Sequence, residues 1–121
     1  MIGEREIPPE IQNQIIQYKQ VEQQLQIILQ QKFNFELQLK EIDQALEVLK
    51  DAKEDTPIYK SIGSLLIKAN NKTDIVNELN DARESINLKL SSIKKQEERL
   101  KEKYENLQKQ LTESLQAFQK T

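Results

Sequence analysis

The feature that most constrains this chain is a series of apolar residues that recur at alternating steps of three and four. From residue 18 the series reads Tyr18, Val21, Leu25, Ile28, Lys32, Phe35, Leu39, Ile42, Leu46 and Leu49. Every position except Lys32 is apolar. A mean spacing of about 3.5 residues keeps one narrow stripe on one side of a helix, as in the seam of a left-handed coiled coil. Pro8 and Pro9 suit a helix start, so the spacing predicts a first helix from about residue 9 to 50.

The second half of the chain repeats this spacing. Apolar residues recur from Ile75 to Phe118 with two polar interruptions, which predicts a second helix from about residue 74 to 119. Asn71 or Thr73 could cap its first turn. Because exposing either apolar stripe to water is unfavourable, we expect the two helices to fold back on each other as an antiparallel coiled coil. The spacing leaves the register of the two helices open.

The segment between the helices has a different character. Pro57 stops any helix, and two β-prone runs, Ile58 to Ile62 and Leu65 to Ala69, flank Gly63-Ser64, a pair suited to a type II′ turn. The expected fold is therefore dominated by α-helix, with one β-hairpin at about residues 58–69 inserted at the bend of a two-helix coiled coil. We expect residues 1–121 to form a single domain.

A solitary two-stranded hairpin is marginal in water and has unpaired edges. Three consecutive residues, Leu65, Leu66 and Ile67, make this one apolar on both faces. The hairpin therefore needs strands from other chains, and we expect an oligomer joined through it. The residues predicted to carry subunit assembly are Ile58, Tyr59, Ile62, Leu65, Leu66 and Ile67.

The composition argues against catalysis and against cofactor chemistry. The chain has no histidine and no cysteine, so it lacks the commonest general base, the thiolate nucleophile and the usual zinc ligands. A net charge of −2 gives no basic surface for nucleic acid or anionic membranes. No run approaches the roughly 20 apolar residues that span a bilayer, and no signal peptide opens the chain. We expect a soluble cytoplasmic protein without catalytic residues, cofactor or metal.

Several segments resemble the β-class subunits of the prefoldin family. They are Ile7-Pro8-Pro9-Glu10-Ile11-Gln12, the glutamine-rich first helix around Gln23-Gln24-Leu25-Gln26, the charged second helix, and the central stretch from Ile58 to Lys68. The central stretch is the most specific of these, because it places a tyrosine-lysine strand, a glycine turn and an aliphatic strand between two such helices. It has room for one hairpin, which resembles the β class and not the α class with its longer, double-hairpin insert.

The resemblance implies a hexamer of two α and four β subunits. In such a hexamer the hairpins form a double β-barrel platform, and six coiled coils extend from it around a cavity. It also implies a chaperone that works without ATP, holds unfolded proteins on apolar surfaces near the coiled-coil tips and transfers them to a group II chaperonin. A structural coiled-coil adaptor or tether that binds one defined protein partner is the alternative.

Both ends of the sequence carry apolar residues that the antiparallel fold would bring to the same tip. Exposed apolar surface at a mobile tip suits promiscuous binding. The predicted client-binding residues are Ile7, Pro8, Pro9, Ile11, Ile15, Leu111, Leu115 and Phe118. The alternative is an ordinary seam that runs to its terminus. Leu115 favours binding, since beside Leu111 and Phe118 it widens the stripe beyond what one partner helix covers.

Overall fold

The computed structural model describes residues 6–69 and 71–120. Its elements in chain order are helix α1 (Pro9–Lys50), strand β1 (Tyr59–Ile62), strand β2 (Leu65–Lys68) and helix α2 (Lys72–Lys120). Two long helices separated by an antiparallel hairpin confirm the predicted fold class.

Helix α1 begins at a proline because that position tolerates a missing N–H group. Pro9 is the first helical residue, and its fixed φ is already close to the helical value. The Gln12 N–H donates to the Pro8 carbonyl at 3.0 Å, and the Gln12 side-chain amide donates to the Ile7 carbonyl at 2.7 Å. Glu10 in the first turn complements the positive end of the helix dipole.

A lysine from α2 caps the carboxyl end of α1. Lys72 Nζ donates to the Ala52 carbonyl at 2.7 Å and to the Lys50 carbonyl at 3.3 Å. Carbonyls at a helix end lack intrahelical partners, so a cation there is favourable. A tight turn follows, in which the Thr56 N–H donates to the Lys53 carbonyl and the Lys53 N–H donates to the Thr56 hydroxyl.

The hairpin has a two-residue turn at Gly63-Ser64. Its cross-strand pairs are Tyr59 with Lys68, Lys60 with Ile67, Ser61 with Leu66, and Ile62 with Leu65. Gly63 has a φ of +59°, whereas Ser64 does not have a positive φ. A positive φ at the first turn residue alone is the type II′ pattern, which a glycine adopts without strain. One further bond, from the Ala69 N–H to the Ile58 carbonyl at 2.8 Å, extends the ladder.

Helix α2 begins two residues before the expected Asp74, because the cap is Asn71. The Asn71 side-chain oxygen accepts the Asp74 N–H at 2.8 Å, so Lys72 is already helical. The hydroxyl of Thr73, the other candidate cap, instead donates to the Glu54 carboxylate at 2.7 Å.

The helices contribute to two compact units. The first unit contains the described residues up to Gln31 and those from Ile93 onward, and the second contains Lys32–Ser92. Each unit has a thin apolar seam rather than a thick core, since no described side chain is completely buried. The buried apolar residues are Ile11, Val21, Ile28, Ile93 and Leu107 in the first unit, and Leu49, Ile75 and Leu90 in the second.

Within each unit the two helical segments are antiparallel. In the first unit Tyr18 pairs with Tyr104, while Ile28, farther along α1, lies beside Leu100, which is earlier in α2. In the second unit Asp43 forms an ion pair with Arg83, with 2.8 Å between its carboxylate oxygen and the guanidinium Nε.

Candidate assembly and client-binding surfaces

The hairpin exposes most of its apolar side chains to solvent. We call the residues predicted to carry assembly the hairpin surface; they are Ile58, Tyr59, Ile62, Leu65, Leu66 and Ile67. Ile58 is half-buried, and the other five are between 46% and 73% exposed. Scattered exposed apolar residues are ordinary, but five large ones within nine consecutive residues, Tyr59 to Ile67, are a concentration typical of an element buried in an interface.

The register assigns these residues to two faces of the hairpin. Side chains directly opposite each other, and those two apart on a strand, share a face. Ile62, Leu65 and Ile67 therefore lie on one face together with Lys60. We call this the aliphatic face. Tyr59 and Leu66 lie on the other, the mixed face, with Ser61 and Lys68.

An ion pair joins the base of the hairpin to α2, and a shallow hollow lies between the hairpin and the helices of the second unit. Lys60 Nζ lies 2.7 Å from each carboxylate oxygen of Glu78 in α2. Beside this pair is a hollow of about 480 Å³, whose lining residues include Val48, Leu49, Ile58, Tyr59 and Leu79. The ion pair is solvent-exposed and adds little stability, but it links the hairpin to α2 through a residue of the aliphatic face.

The predicted client-binding residues all lie in the first unit, and we call them the terminal surface: Ile7, Pro8, Pro9, Ile11, Ile15, Leu111, Leu115 and Phe118. Ile7 and Pro9 are exposed, whereas Pro8, Ile15, Leu111, Leu115 and Phe118 are half-buried. Ile11 differs, because it is only 6% exposed and belongs to the seam. The other seven keep some solvent-accessible surface, whereas Ile11 keeps almost none.

The seam of the first unit contains one unsatisfied polar atom. The side-chain oxygen of Gln14 is buried and has no hydrogen-bond partner among the described residues. A buried acceptor without a donor loses its hydrogen bonds to water and forms none in the protein, which lowers the stability of the fold. Gln14 lies within one turn of Ile11, so this part of the helix pair is less stable than an all-apolar seam would be.

Two tyrosines join α1 to α2 farther along the same unit. The hydroxyl oxygens of Tyr18 and Tyr104 are 2.6 Å apart, so one hydroxyl donates to the other. Their rings stack with centroids 4.8 Å apart and planes 25° from parallel. The hydrogen bond to Tyr104, more than burial or nearby charge, raises the pKa of Tyr18 from 10.0 to about 12.

Helix α1 also exposes apolar side chains that the seam analysis missed. In the first unit these are Ile16, Ile27 and Leu29, and in the second they are Phe33, Leu37 and Val48. Ile27 is 59% exposed and borders a groove of about 390 Å³ that Ile28, Leu100 and Arg99 also line. The sequence carries a signal for these residues, because they are apolar positions outside the 3.5-residue stripe.

Other chemistry is sparse in the part of the chain that the structure describes. No group of three acidic residues there could hold a metal ion. The carboxylate of Glu97 is buried in the first unit and lies 3.4 Å from Lys101 Nζ on the next turn. Neither helix, over its described residues, has an apolar stretch long enough to cross a membrane.

Comparisons with known proteins agree on one family. A family model described as a prefoldin subunit matches residues 12–118. The chain is 43% identical to the prefoldin subunit beta of Methanosarcina acetivorans over 110 residues, which is 91% of this chain and 93% of that relative. It is 36% identical to the prefoldin subunit beta of Archaeoglobus fulgidus, over 88% of this chain and 90% of that one. The crystal structure of the prefoldin beta subunit from Thermococcus strain KS-1 superposes with a TM-score of 0.79 at 33% identity, covering 93% of this chain and 97% of that chain.

Proposed function

Because the chain belongs to the prefoldin subunit family, we propose that it is a β-class subunit of a chaperone that holds unfolded proteins without ATP. Four copies join two copies of a prefoldin α subunit in a cytoplasmic hexamer. The hexamer binds clients at the terminal surfaces of its subunits and transfers them to a group II chaperonin.

The observation that carries the assembly part is the exposure of the hairpin surface. Three large side chains on the aliphatic face, Ile62, Leu65 and Ile67, are each about half exposed or more. Burying the exposed parts of these three side chains against a neighbour contributes roughly 2–5 kcal/mol. Pairing of the strand edges satisfies backbone groups that only water satisfies in one subunit. Both gains require another hairpin, which supports an oligomer joined there.

The half-buried terminal surface supports the client-holding part. Apart from the buried Ile11, each side chain of this surface keeps some apolar area in contact with solvent, and the set includes residues from both helices of the first unit. The area available on one subunit is small, so a single terminal surface binds weakly. Six coiled coils attached to one platform can contact one client at several points, which raises the avidity of the hexamer for that client. The individual contacts stay weak, so the client can still dissociate.

Aggregation suppression tests the proposal against an adaptor function. The full chain would be mixed with a prefoldin α subunit, and light scattering would follow several unrelated denatured proteins after dilution without nucleotide. A holdase lowers the scattering of all of them, because apolar contacts are not specific for one client sequence. An adaptor specific for one partner leaves the scattering of the others unchanged, which would refute the proposal.

Transfer to the chaperonin needs its own measurement. A labelled client held by the hexamer would be added to a group II chaperonin with ATP, and the refolded fraction would be followed in the presence of excess unlabelled unfolded client. Direct transfer predicts a refolded yield that the competitor barely lowers. A yield that falls in proportion to the competitor means release into solution and contradicts the transfer step.

A further inference from the structure

The tyrosine pair in the first unit has a geometry suited to covalent chemistry. The chain contains three tyrosines, Tyr18, Tyr59 and Tyr104. Two of them, 86 positions apart in the sequence, bring their hydroxyls to 2.6 Å and stack their rings at 4.8 Å between centroids. Tyr59 is in the hairpin, 60% exposed, and belongs to the second unit.

This arrangement places together the ring positions that react when phenols are oxidised. In a phenol that has lost one electron and its hydroxyl proton, unpaired spin resides largely on the oxygen and on the ring carbons ortho and para to it. The para carbon of tyrosine carries the side chain, so coupling occurs at an ortho carbon. Each ortho carbon adjoins the carbon that bears the hydroxyl. Because the hydroxyls of Tyr18 and Tyr104 are in hydrogen-bond contact and their rings are stacked, an ortho carbon of one ring lies near an ortho carbon of the other.

Proximity of this kind replaces a slow bimolecular encounter. Free phenoxyl radicals on separate chains must diffuse together before they react, whereas a pair held in a folded unit is already in position. Both rings are half-buried, so they remain partly exposed and an oxidant at the surface can remove an electron from them. Neither ring has a cysteine to compete with it, because the chain has none.

We infer that Tyr18 and Tyr104 form an oxidative modification site, at which a one-electron oxidant of the high-valent metal-complex class couples the two rings into an intrachain dityrosine. Two equivalents of the oxidant each accept one electron, and each phenol releases its hydroxyl proton. A carbon–carbon bond then forms between the two ortho carbons. The hydrogen atom on each coupled carbon moves to the adjacent oxygen, which restores two phenols. The net change is the loss of two electrons and two protons.

The product would be a covalent link between α1 and α2 in the unit that contains the terminal surface. A link that closes so long a segment of chain restricts the unfolded state, as a disulfide between distant residues does. The inference does not depend on the proposed chaperone function. It concerns the response of the folded chain to an oxidant, which can be measured on the chain alone.

The test uses the full chain with light-activated tris(bipyridyl)ruthenium and persulfate as the oxidant. Dityrosine is detected by its blue fluorescence, and digestion followed by mass spectrometry identifies the linked peptides. We expect a product that migrates as one chain in a denaturing gel, lacks two hydrogen atoms and links Tyr18 to Tyr104. Its yield should not change when the protein is diluted, because the link forms within one chain.

Conservative variants separate proximity from general reactivity. Tyr18→Phe and Tyr104→Phe keep the ring packing but should reduce intrachain dityrosine to background, whereas Tyr59→Phe should leave it at the wild-type yield. A further variant, Tyr104→Phe with Lys103→Tyr, restores the number of tyrosines one residue away on α2. It should also give background yield, since the new ring points to solvent. Circular dichroism verifies that each variant remains helical.

Three results would overturn the inference. One is wild-type protein that yields only links between chains, and another is Tyr18→Phe with an undiminished intrachain yield. The third is a Lys103→Tyr variant that couples as efficiently as the wild type, which would mean that chain flexibility and not the observed pairing brings the rings together.

Discussion

At the scale of single residues, ionisation of the Tyr18 hydroxyl makes the stability of the fold depend on pH in the alkaline range. Its pKa is raised from 10.0 to about 12, chiefly because the neutral form keeps its hydrogen bond with Tyr104. In the unfolded chain the phenol ionises near pH 10, whereas in the folded chain it stays neutral until about pH 12. Its stabilising effect is therefore complete below pH 10 and is lost as the pH rises from 10 to 12.

Phenolate absorbance measures this directly. In a Tyr59→Phe background, we expect the Tyr18 hydroxyl to titrate near pH 12, at the high value given by its hydrogen bond. Adding Tyr104→Phe removes the largest cause of the shift, so the Tyr18 titration should move back toward pH 10. An unchanged Tyr18 titration in that double variant would show that the pair does not form in solution.

Gln14 is a second residue with a testable energetic effect. Because its buried oxygen has no partner among the described residues, replacing it with an apolar side chain should remove a penalty. Gln14→Leu is expected to stabilise the fold by about 1–2 kcal/mol. Thermal unfolding by circular dichroism at fixed protein concentration measures the change. Gln17→Leu, the same substitution at an exposed position of α1, is the matched control and should have little effect. Equal shifts in the two variants would contradict the assignment.

At the scale of elements, the two faces of the hairpin should differ in their contribution to assembly. Leu65 lies on the aliphatic face with Ile62 and Ile67, whereas Leu66 shares its face with Ser61 and Lys68. A charge within an apolar interface typically loses several kcal/mol of solvation. Leu65→Lys should therefore shift the mixture with the α subunit to smaller species, and Leu66→Lys should do so to a lesser extent.

Native mass spectrometry of each mixture measures that shift. Ser61→Lys is the control, because it adds the same charge to the mixed face of the same hairpin and should leave the hexamer intact. A Leu65→Lys chain that still forms the hexamer in full yield would rule out burial of the aliphatic face between subunits.

The sequence predicted the elements well because each has a local cause. The 3.5-residue spacing identifies the buried side of each helix, Asn71 caps α2, and Gly63 allows the positive φ of the turn. Other features depend on register, which spacing alone does not specify. Tyr18 and Tyr104 were both recognisable as seam positions, but their pairing requires them to lie at the same height along the two helices.

In the terminal and hairpin surfaces, too, some features depend on the neighbouring element and cannot be predicted from sequence spacing alone. Apolar type marked Ile11 as a client-binding candidate, yet its burial depends on the partner helix that packs against it. The separation of Leu65 from Leu66 onto different faces follows from the cross-strand pairs. In contrast, exposed residues of α1 such as Ile27 and Phe33 are predictable in principle, because the sequence places them outside the 3.5-residue stripe.

At the scale of the whole molecule, the two proposed tasks belong to different parts of the chain. We propose that the hairpin surface, in the second unit, serves assembly and that the terminal surface, in the first unit, serves client binding. If the two tasks are separable, a change at the chain terminus should alter client holding and leave the oligomer unaffected. Loss of both together would mean that one surface serves both.

The separation of the two tasks can be measured as aggregation suppression by a hexamer built from chains that lack residues 111–121, which include Leu111, Leu115 and Phe118. A chain that ends at Gln119 is the control, because it keeps all three apolar residues. Native mass spectrometry should show intact hexamers in both cases. We expect the control to protect denatured clients as the full chain does and the longer truncation to lose most of that protection. A truncated hexamer that suppresses aggregation as well as the full-length one would mean that the terminal surface does not hold clients.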